Sequence, residues 1–520
     1  MTVAGLAAIA VALGVASLGA RRWPAGPWII GLAGSGILLI GAWALPLGVR
    51  AQIGNETFQS TGYLRLVLML LAAGGGALTF IGGAVGGPRS LPALLFAWFG
   101  LTTTALAMVS PVPAIFLLTM GSLAVIMIAV EAGGAEQAMV AARGLRAIVV
   151  AGLIAAFAIS WANVAGTSLR AGLGDGGAAP DGGAVGLAFV AGAVAVALRG
   201  GAIPLHVWSS RLTNSLPPLA TPVTFVWGPA ALAVVILGWS EPAIHELGQQ
   251  LDMERMVVGL IAMASIIFGA LAAFLHDDLE HVVGYSLVSD TGVVLLAVAA
   301  ADPEAWGPAR MWILAYLVAK TAFVAWSVAM RSTFGTSQIS ELSGWARRSP
   351  LLAGGLIIVG LVAVGVPGLA SFEARARVIG LALDPPLDTV AWLGVVAAAG
   401  YSLRLLVAGF REPAAAVALA TNVAPGWPGG RPARLSPALA RQLPGAWAIN
   451  RAPAAAGAAL ALAVLGLAVA AGGFHAPSIS AAPPPAAGGP ADVMPTASPS
   501  PTAPRPSSRP ATSPLPGLPG

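Results

Sequence analysis

Apolar runs of about the same length follow one another along most of this chain, separated by short breaks rich in Gly, Pro, Arg or acidic residues. A helix needs roughly 20 apolar residues to cross the hydrocarbon core of a bilayer. On that rule the pattern predicts spans over about 3–20, 28–48, 63–83, 91–109, 112–132, 146–164, 184–203, 222–239, 256–274, 281–301, 308–330, 351–371, 386–410 and 453–473. The fold class expected is an all-α polytopic membrane protein of about 14 transmembrane helices. Beyond about Pro477 the pattern stops. The Pro/Ser/Ala-rich stretch to Gly520 has almost no large apolar residues, cannot bury enough surface to fold, and predicts a disordered tail.

Composition agrees with the pattern. The 520 residues are 57% hydrophobic and 9% charged, with mean hydropathy +0.85, whereas soluble domains carry about 25% charged residues. Cysteine is absent, which excludes disulfides and thiolate metal sites. Zinc-ligand spacing, a P-loop and a dinucleotide fingerprint are also absent from the sequence, so no cofactor and no metal are expected. The net charge of +5 is almost wholly arginine, Lys320 being the only lysine. In a membrane chain such an excess reports orientation rather than nucleic-acid binding. The first span is followed by Arg21-Arg22 and preceded by no basic residue, the reverse of a secretory signal. Placing the N-terminus outside puts fourteen arginines in inner loops and four (Arg50, Arg170, Arg255, Arg310) in outer ones, as the positive-inside rule requires. The expectation is a multi-pass protein of the cell's inner membrane with the N-terminus and Pro-rich tail outside.

Ionisable groups at membrane depth are costly and mark partners or water-filled paths. Removing the loops leaves Glu131, Arg199, His206, Asp290, Lys320, Glu373, Arg375 and Arg404. Glu131, Arg199 and Arg404 lie near span ends, from which they can snorkel. Lys320, in "MWILAYLVAKTAFVAWSVAM", and Asp290, in "HVVGYSLVSDTGVVLLAVAA", lie too deep for that. Pro204, Pro222, Pro229 and Pro367 lie in or beside spans that carry these charges. Broken helices at this depth are tolerated where they line a cavity, so charges and breaks together point to an ion path through the bundle.

The stretches carrying these groups resemble one family. "GAIPLHVWSSRLTNSLPPLATPV", "ASIIFGALAAFLHDDLEHVVGYSLVSDTGVVLLA", "ELSGWARRSPLLAGGLIIVGLVAVGVPGLASFEARA" and "AAGYSLRLL" are similar, in order over about 110–410, to motifs of the antiporter-like membrane subunits of respiratory complex I. Mrp-type Na⁺/H⁺ antiporters and membrane-bound hydrogenases share those motifs. The phrases "ASIIFG" and "RRSPLLA" look most like the N-type subunit. The resemblance implies 14 helices with two inverted five-helix repeats, each holding a broken helix. It divides the chain into N-terminal helices (1–110), a proton-channel core (111–410), a cytoplasmic loop with the last helix (411–475), and the tail (476–520). It also implies partners: other membrane subunits of such an assembly, the lipid bilayer, and protons or Na⁺, with no nucleic acid.

By the same resemblance Arg199 occupies a lysine position in the first broken helix and pairs with Glu131, while His206 is the motif histidine. The departures are informative. The lysine of the family's "G-P-K" has no counterpart here, where "TPVTFVWGPAALAVV" offers Ala230 or, with a different gap, Leu232, and the "F-x-G-K/E" site reads Phe372-Glu373-Ala374-Arg375. Lysine can lose its proton inside a protein, whereas arginine effectively cannot. Lys320 is therefore expected to be the central proton carrier, with Asp290 compensating for the missing lysine; a static Asp290–Lys320 pair is the alternative. Three functions remain open on the sequence: a proton-translocating subunit of a redox-driven complex, a cation/proton antiporter subunit, and a structural paralogue that does not pump. The chain itself carries no redox centre motif.

Overall fold

Two nearly encased helices form the centre of the fold. They are α10 (Leu279–Ala299) and α11 (Pro303–Phe334), along which almost every side chain is buried. Around them, in the computed structural model, lie α1 (Val3–Gly19), α2 (Gly26–Trp43), α3 (Gly62–Ala84), α4 (Leu91–Gly100), α5 (Ala135–Gly174), α6 (Gly182–Gly200), α7 (Val207–Ser215), α8 (Gly228–Ile244), α9 (Asp252–Leu275), α12 (Pro350–Val364), α13 (Ala370–Ala382), α14 (Leu387–Phe410) and α15 (Arg451–Ala470). A short antiparallel hairpin, β1 (Arg50–Ile53) with β2 (Glu56–Gln59), joins α2 to α3. The structure describes residues 2–23, 25–53, 56–85, 90–102, 135–174, 182–244, 251–411 and 451–472. These lie in one compact unit, Met1–Ile479. The span at 112–132, the loop after residue 411, and the Pro-rich tail fall outside the described residues.

Among the described residues, ten helices are long and apolar enough to cross a membrane, and three shorter apolar helices accompany them. Each expected span other than 112–132 has a helical counterpart. The span at 351–371 is corrected: it is not one helix, because α12 stops at Val364 and α13 begins at Ala370. The break falls on Gly365, whose φ of 77° suits glycine, and Pro367. α6 and α7 form the matching pair, separated by Gly201–His206. Arg310, expected in an outer loop, is instead a buried residue of α11.

The outer helices present apolar side chains away from the core. Leu153, Leu271, Leu275, Leu393 and Leu403 are exposed, as a bilayer solvent requires. Where helices meet closely, small residues allow it. A Cβ on Gly292 of α10 would stand 2.5 Å from the Ala262 carbonyl of α9, and one on Gly269 would stand 2.5 Å from the Ser289 amide. This contact fixes the position of the α10 segment that carries Asp290.

The turn between α9 and α10 is clamped to the segment after α11. Leu279 N–H donates to the Ser337 carbonyl and Ile339 N–H to the Asp277 carbonyl, each at 2.8 Å. Asp278 caps α10, accepting from the Glu280 and His281 amides at 2.8 and 3.2 Å. It also accepts from the Ser337 hydroxyl at 2.7 Å. Burial disfavours the Asp278 carboxylate, but the bonds from Ser337, His281 and Glu280 outweigh it and hold the carboxyl below its ordinary value. The stabilisation this gives is present above the unfolded carboxyl's value and fades as pH falls through the folded one. Asp278→Asn should therefore unfold more easily than wild type at neutral pH in detergent, and the difference should close in strong acid. An unfolding difference independent of pH would contradict this account.

Candidate functional site

The deepest charges converge. Lys320 Nζ lies 2.6 Å from Asp290 Oδ2, with Lys320 2% and Asp290 8% exposed. Three physical constraints bring them together: Lys320 is in the middle of α11, Asp290 in the middle of α10, and the glycine contacts above press α10 inward. At that distance the ammonium and the carboxylate form a buried ion pair. Lys320 donates to the Tyr401 hydroxyl at 3.3 Å and lies 5.5 Å from the Phe323 ring and 5.7 Å from the Tyr401 ring. The Tyr401 hydroxyl in turn interacts with Ser286.

Arg375, in α13, approaches the same carboxylate closely enough to act on it electrostatically. Its guanidinium turns back over the helix break, donating to the Ala363 carbonyl at 2.9 Å and to the Val364 carbonyl. Absence of a Cβ on Gly365 leaves space for the guanidinium, and Trp392 covers it at 5.6 Å. These two carbonyls are freed by the end of α12, so the broken helix and its cation satisfy one another. Glu373, two residues earlier, points to the outside and is exposed; the structure does not bring it into this cluster.

The first break is built in the same way. Arg199 is buried at the end of α6 and donates to the Thr224 carbonyl at 2.6 Å. It does not snorkel. Thr224 belongs to a π-helical turn, Pro222–Trp227, that precedes α8; such turns expose carbonyls that a regular helix would use. Carbonyls freed at the break find partners elsewhere: Trp208 Nε1 donates to Leu198 at 3.1 Å and the Thr291 hydroxyl to Gly200 at 3.1 Å. Ile203 N–H donates to Ser265 Oγ at 3.0 Å. Glu131, the expected partner of Arg199, lies outside the described residues. His206 sits half-buried in the break, with its ring 6.4 Å from that of Tyr285.

The two centres are joined through the neighbours of the ion pair. Thr291, next to Asp290, reaches the first break, and Thr321, next to Lys320, accepts from Trp227 Nε1 at 3.0 Å. Between them, where the family motif has lysine, Ala230 faces a cavity of about 50 Å³ lined also by Tyr63, Leu68, Leu71, Trp227, Val234 and Leu317. Its few polar atoms are engaged elsewhere: Tyr63 donates to the Arg310 carbonyl at 3.4 Å and Trp227 to Thr321.

Reading the sequence for charge alone misses Tyr401, Tyr316, Thr224, Thr291 and Thr321. A signal existed for the tyrosines. The chain has only four, and Tyr316 and Tyr401 lie inside apolar spans; Tyr316 donates to the Phe225 carbonyl at 3.3 Å. Arg404, near the end of its span, reaches the Phe274 and His276 carbonyls at the end of α9 and pairs with Asp277 at 3.2 Å.

Residues 118–399, more than half of the chain, match the family described as NADH:quinone oxidoreductase/Mrp antiporter, TM. The chain belongs to that family. Among its relatives, NADH-quinone oxidoreductase subunit N of Halorhodospira halophila is 29% identical over 238 residues, 45% of this chain and 49% of that protein. The subunit N of Maricaulis maris is 31% identical over 228 residues, 43% and 46% of the two chains. The chain thus spans about half the length of the curated relatives it matches. Solved structures share the fold over much more. A chain of respiratory complex I from Thermus thermophilus superposes with TM-score 0.66 at 19% identity, covering 91% of this chain and 98% of that one. One of the Mrp complex from Dietzia sp. DQ12-45-1b gives 0.67 at 19% identity, covering 90% and 93%. This likeness shows a shared fold.

The ion pair makes a stability prediction. Asp290→Asn leaves a buried ammonium uncompensated and should cost about 3–5 kcal/mol. An Asp290→Leu/Lys320→Met double variant, which removes both charges, should recover most of that loss in denaturant unfolding. A loss in the double variant equal to the sum of the Asp290→Leu and Lys320→Met single losses would show that the two groups do not interact.

Proposed function

We propose that the chain is a proton-translocating membrane subunit of a redox-driven complex of the NADH-quinone oxidoreductase type, similar in kind to subunit N. The observation that carries the reading is the buried Lys320–Asp290 contact, at the middle of two encased helices and linked to both helix breaks. Partner subunits would hold the redox centres and supply the driving force. Likeness to chains of complex I, the Mrp complex and an archaeal membrane-bound sulfane sulfur reductase supports an assembly of several membrane subunits.

The chemistry follows from the residue types. Lysine can release a proton inside a protein; the guanidinium of Arg199 or Arg375 cannot. While Asp290 is charged it holds the Lys320 ammonium. A proton delivered to Asp290 cancels that attraction, and Lys320 can pass its own proton to a neighbouring acceptor. The two arginines stay positive throughout, shaping the field without carrying protons. Glu131 would pair with Arg199, and His206 and Glu373 would serve access to either side of this core.

A second reading has one observation in its favour. The cavity at Ala230 has no lysine, histidine or carboxylate in its lining, as a structural paralogue that does not pump would show. Lys320→Arg separates the two. It keeps a cation beside Asp290 but cannot titrate. In a proton carrier, Lys320→Arg should assemble normally in vesicles and lose proton translocation. Translocation at the wild-type rate would make Lys320 structural.

We also infer a plasma-membrane location with the N-terminus and tail outside, supported by the arginine bias. Single cysteines at Thr2 and Ser500 of this cysteine-free chain should react with an impermeant thiol reagent on intact cells, and one at Ser436 should not. Reaction at Ser436 alone would reverse the topology.

A further inference from the structure

A cluster that the reading above leaves unused lies at the end of α10 nearest the α9–α10 turn. The His276 and His281 rings stack at 5.0 Å, the His276 and Tyr285 rings approach to 4.7 Å, and His206 reaches Tyr285 from the first helix break at 6.4 Å. All four are half-buried, between the open turn and the core. His276 Nδ1 lies 2.7 Å from the Ala272 carbonyl. A carbonyl only accepts, so Nδ1 carries the proton and Nε2 is the nitrogen open to exchange.

The charged groups facing this cluster come from every element around it. Among the described side chains, Asp277 and Asp278 lie in the turn, with Asp278 3.5 Å from His281. Glu280 on α10 acts on His281 and is held by Arg331 of α11. Arg404 of α14 holds Asp277. Glu341 is engaged at 2.6 Å by Thr336. The acids thus have arginine or hydrogen-bonding partners, and the imidazoles are the side chains of the cluster able to take up or release a proton at a ring nitrogen.

The same end of α10 leads to the ion pair. From His281 the helix rises about 1.5 Å per residue, so Ser286 lies about 7 Å and Asp290 about 13 Å further in. Ser286 lies against the Tyr401 hydroxyl, and Tyr401 against Lys320. The other approach, through Ala230, is lined mostly by apolar side chains, and Arg199 beyond it cannot titrate. Lys320 therefore needs its own supply.

We propose that His276, His281 and Tyr285, with His206, form a proton-collecting vestibule that feeds Lys320 through Ser286 and Tyr401. An imidazolium gives its proton to a hydroxyl oxygen, and the hydroxyl passes its own proton inward. Each relay oxygen ends with the proton count it began with, and the imidazole is reloaded from water. The proposal rests on Lys320 being the carrier.

The test uses full-length chain in sealed vesicles carrying the assembled membrane complex, with a pH-sensitive dye. The variant is His276→Gln/His281→Arg, in which arginine keeps a cation beside Asp278 and so protects the fold. At about pH 8, where protons are scarce, it should translocate protons about tenfold more slowly than wild type, less than the loss of a direct transfer group. At about pH 6 the two should match. Free imidazole added on the side of the α9–α10 turn should restore the alkaline rate. Equal rates at both pH values, or a uniform loss that imidazole does not restore, would overturn the vestibule. If the underlying reading fails instead, wild-type vesicles move no protons, or Lys320→Arg moves them at the wild-type rate.

Discussion

An ammonium and a carboxylate sit 2.6 Å apart inside a bundle made almost entirely of apolar side chains. Neither charge is tolerable there alone, because removing an ion from water costs several kcal/mol even after the protein relaxes. Each therefore constrains the helix that carries the other. α10 and α11 must cross with Asp290 facing Lys320, α14 must bring Tyr401 to the ammonium, and α13 must hold Arg375 within range of the carboxylate. The glycines at 269 and 292 let α9 press against α10 and keep that register.

The broken helices solve a second problem created by the same low dielectric. A helix that ends at membrane depth leaves carbonyls and amides without water. Here each break meets an arginine: Arg375 returns to the carbonyls of its own break, and Arg199 reaches the π-helical turn beside it. Side-chain donors from neighbouring helices supply the rest, with Thr291 and Trp208 capping carbonyls and Ser265 accepting the Ile203 amide. The Thr291 bond ties the first break to the residue beside Asp290. A rearrangement at either centre must therefore be felt at the other, which is the physical requirement for any coupled ion movement.

Replacing titratable lysines by arginine and alanine changes what such a bundle can carry. Fixed cations preserve the field but remove sites at which a proton can rest. The cavity beside Ala230 offers no lysine, histidine or carboxylate in its lining. Along α10 stand two histidines at one end, the Ser286 hydroxyl further in, and the carboxyl of the ion pair, which faces Lys320 of α11.

Much of this was legible along the chain. Span positions follow from the length of apolar runs, because a bilayer imposes one thickness on every helix. Depth of Lys320 and Asp290 follows from their distance to the nearest polar break, and the prolines at 204 and 367 mark the two interruptions. Those properties are local, so the sequence by itself determines them. Others depend on which face of a helix meets which neighbour. Glu373 and Arg375 are two residues apart and equally polar, yet one is exposed and the other is buried over the break, because residues two apart on a helix do not share a face. Arg310 reads as a loop residue and is buried, and the span at 351–371 is divided. Tyr401 lies 81 residues from Lys320 and Thr291 91 from Gly200, separations across which no local pattern carries information. Only the tertiary structure decided these contacts, since helix rotation and register are set by packing between helices and not by the composition of any one of them.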